Sequence, residues 1–187
     1  IFFANHNDII IDSTSLLTRA LETTQHILAG SDQQWIPVHK SWRLNERHYG
    51  GLQGLNKDDA RKKWGEDQVH QWRRSYDVRP PRESEEQREA YLKNRRYQHI
   101  DHRMMPYCES LKDTLERVVP FWTDHISQHL LDDKTVLVSA HGNSIRALIK
   151  YLEGLSEEDI VGYEIKTGAP LVYELTDDLV VKDKYYL

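Results

Sequence analysis

The strongest constraint on how this chain folds is a short apolar run that is followed, within a few residues, by a helical pattern. Residues 136–138 form the run V-L-V, which leads to His141. Apolar side chains at helical spacing then continue from Ser144 to Glu153 and stop before Gly154. We predict a buried strand that ends at His141, followed at once by a helix. This edge of an open α/β sheet binds ligands, and a helix N-terminus attracts anions, so an imidazole here indicates phosphate chemistry.

Strands and helices alternate along the rest of the 187-residue sequence. Short apolar runs predict strands, and apolar residues at intervals of three and four predict helices. The predicted strands are residues 9–11, 35–38, 171–175 and 179–181, the last two forming a hairpin, and the predicted helices are residues 16–28, 57–74 and 111–130, the last bent at Pro120. This pattern predicts an α/β protein whose sheet carries helices on both faces.

One segment departs from the alternation. Residues 82–107 follow Pro80 and Pro81, are rich in charge and lack a clean period. We interpret them as a lid or excursion rather than a separate domain, because 187 residues fit one domain with a sizeable core. The predicted organisation is therefore a single domain over residues 1–187.

The composition argues against several classes of protein. A formal charge of -5 argues against nucleic acid or an anionic membrane as a partner. The mean hydropathy is -0.73, and no apolar run is long enough to cross a bilayer. Cys108, the only cysteine, excludes an internal disulfide and a cysteine-based zinc site and favours the reducing cytoplasm. Seven histidines show no metal-ligand spacing and are given no role: His6, His26, His39, His99, His102, His125 and His129.

Basic side chains are nevertheless concentrated in the first half of the chain, among aromatic residues. They are Arg43, Arg47, Lys57, Arg73 and Arg74. Guanidinium groups match the oxygens of carboxylates and phosphates, so this concentration favours a pocket for a small, highly charged anion. By itself, however, the Arg73-Arg74 pair is more often a solvated helix face, and Glu46 beside Arg47 is more often a surface ion pair.

Four segments carry the polar chemistry, and together they resemble a known family. They are T-S-L-L-T-R-A at residues 14–20, R-L-N-E-R-H-Y-G at 43–50, W-R-R at 72–74 and H-G-N at 141–143. With the runs L-Q-G-L-N-K at 52–57 and K-T-G-A-P-L-V-Y-E-L at 166–175, they resemble the cofactor-dependent phosphoglycerate mutases of the histidine phosphatase superfamily. The resemblance covers nearly the whole chain and implies a three-layer fold with a mostly parallel sheet.

The resemblance also implies roles for individual residues. Glu46 would be the general acid and base for the substrate hydroxyl. His141 would stabilise the phosphoryl group in transit, and Arg19 would contact that group. The implied substrate-binding residues are Arg47, His48, Tyr49, Lys57, Arg73, Arg74, Gly142 and Asn143.

The implied activity is the interconversion of 3-phosphoglycerate and 2-phosphoglycerate in glycolysis, through a phosphohistidine primed by 2,3-bisphosphoglycerate. No metal is implied, because Arg, Lys and His donors supply the positive charge. The family usually forms homodimers or homotetramers, and the edge around residues 35–42 is a plausible contact. Two alternatives stay open: a bisphosphoglycerate mutase or phosphatase, and a catalytically inactive fragment or paralogue that only binds phosphoglycerates.

One departure from the family pattern matters for all of these expectations. The nucleophile of the family is a His in an R-H-G motif after the first strand, and no R-H-G stands in this sequence. We therefore expect the fold to lack the first strand and helix of the family, and the chain by itself to lack turnover. Because that strand lies inside the sheet, its neighbours would be unpaired and the chain poorly stable unless another segment fills the position.

Overall fold

The computed structural model describes residues 1–3 and 9–187, and these form a six-stranded sheet with the strand order β3-β2-β4-β1-β5-β6. The strands are β1 (Phe2–Phe3), β2 (Ile11–Thr14), β3 (Val38–Lys40), β4 (Val136–Ser139), β5 (Leu171–Leu175) and β6 (Val181–Tyr186). Among the described residues, β2 runs parallel to both β3 and β4, β1 runs parallel to β5, and the pairs β1–β4 and β5–β6 are antiparallel. The prediction of a mostly parallel sheet with a terminal hairpin is confirmed.

The position inside the sheet that we expected to be open is occupied. Strand β1 lies between β4 and β5, with Phe2 opposite Leu137 on one side and Val172 on the other. Both neighbours therefore have a hydrogen-bonding partner there. The expectation that they would be unpaired is not met, because residues 2–3 fill the position.

The helices cover both faces of the sheet. They are α1 (Thr18–Gly30), α2 (Lys57–Trp64), α3 (Glu66–Arg74), α4 (Glu85–Leu92), α5 (Leu111–Phe121), α6 (Ser127–Leu131), α7 (Gly142–Glu153) and α8 (Glu157–Gly162). Successive side chains of a strand point to opposite faces. Accordingly, Val136 and Val138 pack with Val118 of α5 and Leu148 of α7, whereas Leu137 packs with Leu28 of α1. This arrangement gives the three layers that the resemblance implied.

Two predicted helices are interrupted in the structure. The helix predicted over residues 57–74 is divided at Gly65, whose φ of +84° lies in the region that glycine tolerates best. The helix predicted over 111–130 contains a π-helical turn, Trp122–Ile126, between α5 and α6. Pro120 lies just before that turn; a proline lacks the N–H that an α-helix needs and clashes with the preceding turn. The expected bend is therefore a wider helical turn.

The ends of several strands are shifted from their predicted positions. The strands predicted at 9–11 and 35–38 occupy Ile11–Thr14 and Val38–Lys40, and the last strand begins at Val181. β3 lies at the edge of the sheet. Pro37, which precedes it, has no N–H to donate to a neighbouring strand, and this is tolerated at an edge. Among the described residues, no helix is both long and apolar enough to cross a membrane.

The excursion at residues 82–107 is held together by one buried side chain. It contains α4 and two short 3-10 turns, Arg95–Tyr97 and His102–Met104. Arg88 of α4 is only 5% exposed and donates to the carbonyl oxygens of His102, Met105 and Pro106 at 2.7–3.1 Å. Its guanidinium also lies 3.3 Å from a Glu83 carboxylate oxygen. The segment is thus packed against its own beginning and end.

Candidate active site

The site is built where two neighbouring parallel strands end. β2 leads through Ser15 into α1, and β4 leads through His141 into α7. The Ser15 hydroxyl oxygen lies 2.7 Å from His141 Nε2, and Arg19 Nε donates to His141 Nδ1 at 3.1 Å. Two turns far apart in the sequence thereby fix one imidazole, which is 6% exposed.

These contacts define the form of the His141 ring. An Arg Nε–H can only donate, so Nδ1 must be the acceptor, and the ring proton of the neutral imidazole is on Nε2, directed at the Ser15 oxygen. Burial, with smaller contributions from the positive charges of Arg19 and Arg117, lowers the pKa of His141 to about 4. At neutral pH the imidazole is therefore uncharged and can donate one hydrogen bond from Nε2.

Glu46 reaches the same helix terminus from the loop that follows β3. Its Oε1 accepts the backbone N–H of Arg47 at 2.7 Å and that of Asn143 at 3.3 Å. Asn143 is in the first turn of α7, where unpaired N–H groups and the helix dipole favour a carboxylate. Within the described part of the chain both bonds go to Oε1, so Oε2 is the oxygen available to a ligand.

A buried ion pair positions the Glu46 loop from below. Arg117 of α5 contacts Glu109 through Nε at 2.6 Å and donates to the backbone oxygens of Arg43, Asn45 and Glu46 at 2.5–3.3 Å. Arg117 is 6% exposed and Glu109 is 2% exposed. This one guanidinium satisfies three carbonyl groups of an irregular loop, which need partners once they are buried.

A cavity of about 400 Å³ opens beside α7. Six of the residues predicted for the site line it: Tyr49, Lys57, Arg73, Arg74, Gly142 and Asn143. The remaining lining residues are Arg61, Glu66, Val69, His70 and Arg146. Five cationic side chains and one carboxylate therefore surround the cavity, together with the N-terminus of α7. Such a lining favours a ligand with more than one negative charge.

Arg146 is both buried and surrounded by other positive charges, and both conditions disfavour its charged form. Burial and the guanidinium groups of Arg47 and Arg74 lower its pKa from the usual value. Its Nη2 nevertheless donates to the backbone oxygens of Ile160 and Val161, and its Nη1 donates to Asn143 Oδ1 at 3.3 Å. Arg146 thus holds Asn143 in place while adding charge to the cavity wall.

Two of the predicted substrate-binding residues lie behind the cavity wall. Arg47 is 2% exposed; it donates to the backbone oxygen of Arg73 at 2.8 Å, and its guanidinium stacks 4.6 Å from the centre of the Tyr49 ring. His48 is 7% exposed, lies 3.2 Å from Glu83 and accepts the Gly50 N–H at 3.0 Å. In this structure, Arg47 therefore holds Arg73 and Tyr49 in position, and His48 holds Glu83 and Gly50.

Three further residues at the site were not selected from the sequence. Asn45 is within the 43–50 motif; its Oδ1 accepts the Leu16 N–H at 2.9 Å and so joins that loop to the start of α1. Arg146 follows Asn143 by one helical turn and faces the same side. Ser15 precedes a predicted helix, where a serine is usually interpreted as a cap. Of the three, Asn45 and Arg146 could have been found from their spacing to residues already selected.

Comparisons with known proteins show which family the chain is similar to. A family model described as histidine phosphatase superfamily (branch 1) matches residues 2–95 and 81–185. A Staphylococcus epidermidis protein named 2,3-bisphosphoglycerate-dependent phosphoglycerate mutase is 95% identical over 185 residues, which are 99% of this chain and 81% of that protein. A Staphylococcus aureus protein of the same name is 79% identical over 183 residues, covering 98% of this chain and 80% of that protein.

Solved structures show the same fold at much lower identity. Bacillus stearothermophilus YhfR matches 95% of this chain and 73% of its own, with a TM-score of 0.66 and 18% identity. The α-ribazole phosphatase from Shigella flexneri matches 93% of this chain and 71% of its own, with a TM-score of 0.62 and 20% identity. These structures show the fold alone; the family model and the staphylococcal relatives show that the chain belongs to the histidine phosphatase superfamily, branch 1, and within it to the 2,3-bisphosphoglycerate-dependent phosphoglycerate mutases.

Proposed function

We propose that this protein is a phosphoglycerate mutase that interconverts 3-phosphoglycerate and 2-phosphoglycerate and depends on 2,3-bisphosphoglycerate. One observation carries the proposal: the Glu46 carboxylate accepts the Asn143 N–H at the N-terminus of α7, His141 directly precedes that helix, and Gly142 and Asn143 of its first turn line a cavity together with cationic side chains. The names of the relatives that are 95% and 79% identical support it.

The cavity would hold the charged ends of the substrate. A phosphoglycerate carries a carboxylate and a phosphate on a three-carbon chain, and Lys57, Arg73 and Arg74 would bind these groups. No ion pair joins any of these three side chains to a carboxylate within residues 1–3 and 9–187. Their positive charges are therefore available to a ligand, and Arg guanidinium groups bind such oxygens with good geometry.

Glu46 would move the proton of the substrate hydroxyl. In the forward transfer, a P–O bond forms at that hydroxyl as the bond from phosphorus to the phosphohistidine nitrogen breaks, and the hydroxyl proton passes to Glu46 Oε2; in the reverse transfer, Glu46 returns the proton to the departing oxygen. The backbone N–H groups of Arg47 and Asn143 hold the carboxylate in one orientation. A positioned general acid and base typically contributes about 10²–10⁴-fold to the rate.

His141 and Arg19 would stabilise the phosphoryl group while it passes. Charge stabilisation and positioning supply most of the catalysis of phosphoryl transfer. The Nε2–H of neutral His141 can donate to a phosphoryl oxygen in place of Ser15, and the dianionic phosphate would offset the positive charges that disfavour the imidazolium. Arg19 donates to the other ring nitrogen, Nδ1, and would contact the same phosphate.

A second imidazole would accept the phosphoryl group covalently. That nitrogen would attack phosphorus as the bond to the substrate oxygen breaks, which divides one difficult transfer into two easier ones. The family uses the R-H-G histidine for this step, and the sequence contains no R-H-G. We therefore propose that turnover requires such a segment in addition to the residues described.

The deciding experiment compares two proteins in an assay of 3-phosphoglycerate conversion with 2,3-bisphosphoglycerate present. One is the 187-residue chain, and the other is the same chain preceded by an R-H-G segment of the family. We expect turnover only in the second protein, and its loss on replacing the R-H-G histidine by alanine. Clear turnover by the first protein would contradict the required second imidazole. Net hydrolysis of 2,3-bisphosphoglycerate in excess of mutase turnover by the second protein would favour the phosphatase alternative.

The remaining features of the proposal follow from the family. We propose a cytoplasmic homodimer or homotetramer that acts on small phosphoglycerates without a catalytic metal ion. We place the contact between subunits on the surface around residues 35–42, and the 77% exposure of Trp35, which precedes β3, supports this choice. Light scattering of the wild type and of Trp35→Ser tests this contact, which would be excluded if the oligomeric state were unchanged.

A further inference from the structure

Three histidines far apart in the sequence converge away from the catalytic cavity. His39 lies on β3, His125 in the π-helical turn and His129 on α6. Their ring centres are 4.4 Å apart for His39 and His125, 4.9 Å for His125 and His129 and 6.0 Å for His39 and His129. One ring nitrogen of each lies within 4.8 Å of the other two. None of the three lines the cationic cavity.

Two nitrogens of this cluster have no partner. Neither His125 Nε2 nor His129 Nδ1 is exposed, and neither has a hydrogen-bond partner among the residues that the structure describes. A buried polar atom without a partner is energetically unfavourable, because it has lost its hydrogen bonds to water. Two such atoms in one group of imidazoles are uncommon in a stable fold, because most buried polar groups are paired. A bound cation would satisfy both.

We propose that His39, His125 and His129 bind one divalent transition-metal ion, with Zn²⁺ as the representative of the metals that imidazole prefers. Zinc bonds to imidazole nitrogen at about 2.0–2.1 Å, so the ligand atoms of a tetrahedral site are about 3.4 Å apart. Rotation of the exposed His39 side chain and small adjustments of the other two close the difference from 4.8 Å. Solvent occupies the fourth position, on the exposed side.

The metal ion would join two elements that few other contacts connect. β3 is an edge strand, and the π-helical turn with α6 belongs to the long helical segment that follows Pro120. The π-helical turn sets the positions of His125 and His129 relative to each other. Such turns often occur at functional sites. β3 leads directly to the loop of Glu46, so the ion would brace that loop from its start.

The test is a titration of Zn²⁺ into the metal-stripped protein, followed by calorimetry, with Co²⁺ absorption as a second readout of tetrahedral nitrogen ligation. We expect one ion per chain and a thermal unfolding midpoint that rises with Zn²⁺. His39→Gln, His125→Gln and His129→Gln should each weaken binding by about tenfold or more, by analogy with the loss found when metal-site partners are removed. His26→Gln, at an exposed position of α1, is the matched control and should bind as the wild type does.

Each outcome decides the proposal. Binding that persists at wild-type affinity in His39→Gln would place the ion elsewhere and overturn it, as would the absence of binding to the wild type. His39 is exposed, so this variant folds even if His125→Gln or His129→Gln does not, and circular dichroism verifies that. A loss of affinity in His39→Gln that His26→Gln does not share would support the site.

Discussion

The protein uses arginine in two contrasting ways on the two sides of the Glu46 loop. Beneath the loop, Arg88 and Arg117 are buried, and each contacts a buried carboxylate and several backbone carbonyl groups. On the cavity side, Arg73 and Arg74 have no such carboxylate partner within residues 1–3 and 9–187. The same side chain therefore stabilises the scaffold in one place and presents uncompensated charge in the other.

This difference distinguishes arginines that are bound within the protein from arginines that are open to a ligand. A buried guanidinium that already donates to a carboxylate and to backbone carbonyl groups cannot bind a ligand through those donors without giving up an existing bond. Burial lowers the pKa of Arg146, and the positive charges of Arg47 and Arg74 lower it further, so an anion bound in the cavity would offset part of this repulsion. Substitutions of the buried arginines should therefore lower the free energy of unfolding, and substitutions of the cavity arginines should weaken ligand binding.

The largest expected effect is at Glu46, where the two regions meet. Glu46→Gln keeps the shape of the side chain but cannot take up the substrate proton, so kcat should fall by about 10²–10⁴-fold in a protein that carries the R-H-G segment. The affinity for 3-phosphoglycerate and the free energy of unfolding should change little. Glu22→Gln, on the exposed side of α1, is the control. An unchanged kcat would remove Glu46 from the proton transfer.

The next effect concerns the scaffold. Arg117→Met leaves Glu109 buried without its partner, which typically costs about 3–5 kcal/mol of unfolding free energy. Urea unfolding measures this loss. Arg79→Met is the matched control, because the Arg79–Asp113 pair is solvent-exposed on the arginine side and such pairs contribute about 0–1 kcal/mol. Equal losses in the two variants would mean that burial does not distinguish these pairs.

A smaller effect is expected in the cavity, and in binding alone. Arg74→Gln should weaken binding of 3-phosphoglycerate by about 1.5–3 kcal/mol, the range for hydrogen bonds to charged groups. The free energy of unfolding should stay the same, because Arg74 is exposed and has no protein carboxylate partner among the described residues. Lys62→Gln, whose side chain is 81% exposed on α2, should leave both quantities unchanged. A loss of stability without a loss of affinity in Arg74→Gln would mean that Arg74 belongs with the buried, structural arginines and not with those that bind ligand.

The smallest change is a single proton at His141. Its pKa of about 4 predicts that NMR shifts of the ring stay constant down to about pH 5 and then move. Since the unfolded chain takes up this proton near pH 6.5, the residue favours unfolding increasingly as the pH falls from 6.5 to 4. Arg19→Gln removes one of the two guanidinium contributions and should raise the pKa. A ring that titrates at pH 6 or above in the wild type would contradict the buried, neutral imidazole.

Local sequence patterns predicted the parts of the fold that depend on local physics. The strand before His141 and the helix after it follow from a buried apolar run, a change of period and the terminating Gly154, whose φ of +62° fits glycine. The exact ends of the strands did not follow, because they depend on which neighbours pair. The π-helical turn did not follow either, since a proline predicts a disturbance of the helix but not its form.

The site divides in the same way. Lys57, Arg73 and Arg74 were selected as charged residues near aromatic ones, and the cavity contains them. Ser15 acquires its role only through His141, a contact made by the pairing of β2 with β4. The grouping of His39 with His125 likewise arises only in the folded chain. Contacts between distant segments are what spacing along a sequence cannot show.

The most direct test of the division between the two kinds of charge is a crystal structure with 3-phosphoglycerate bound. We predict that its carboxylate and phosphate contact Lys57, Arg73 and Arg74, with the free hydroxyl within hydrogen-bond distance of the Glu46 carboxylate. The buried pairs of Arg88 and Arg117 should be unchanged. A ligand bound instead in the neighbouring cavity of about 800 Å³, which Arg79, Arg82 and Arg103 line, would contradict the account.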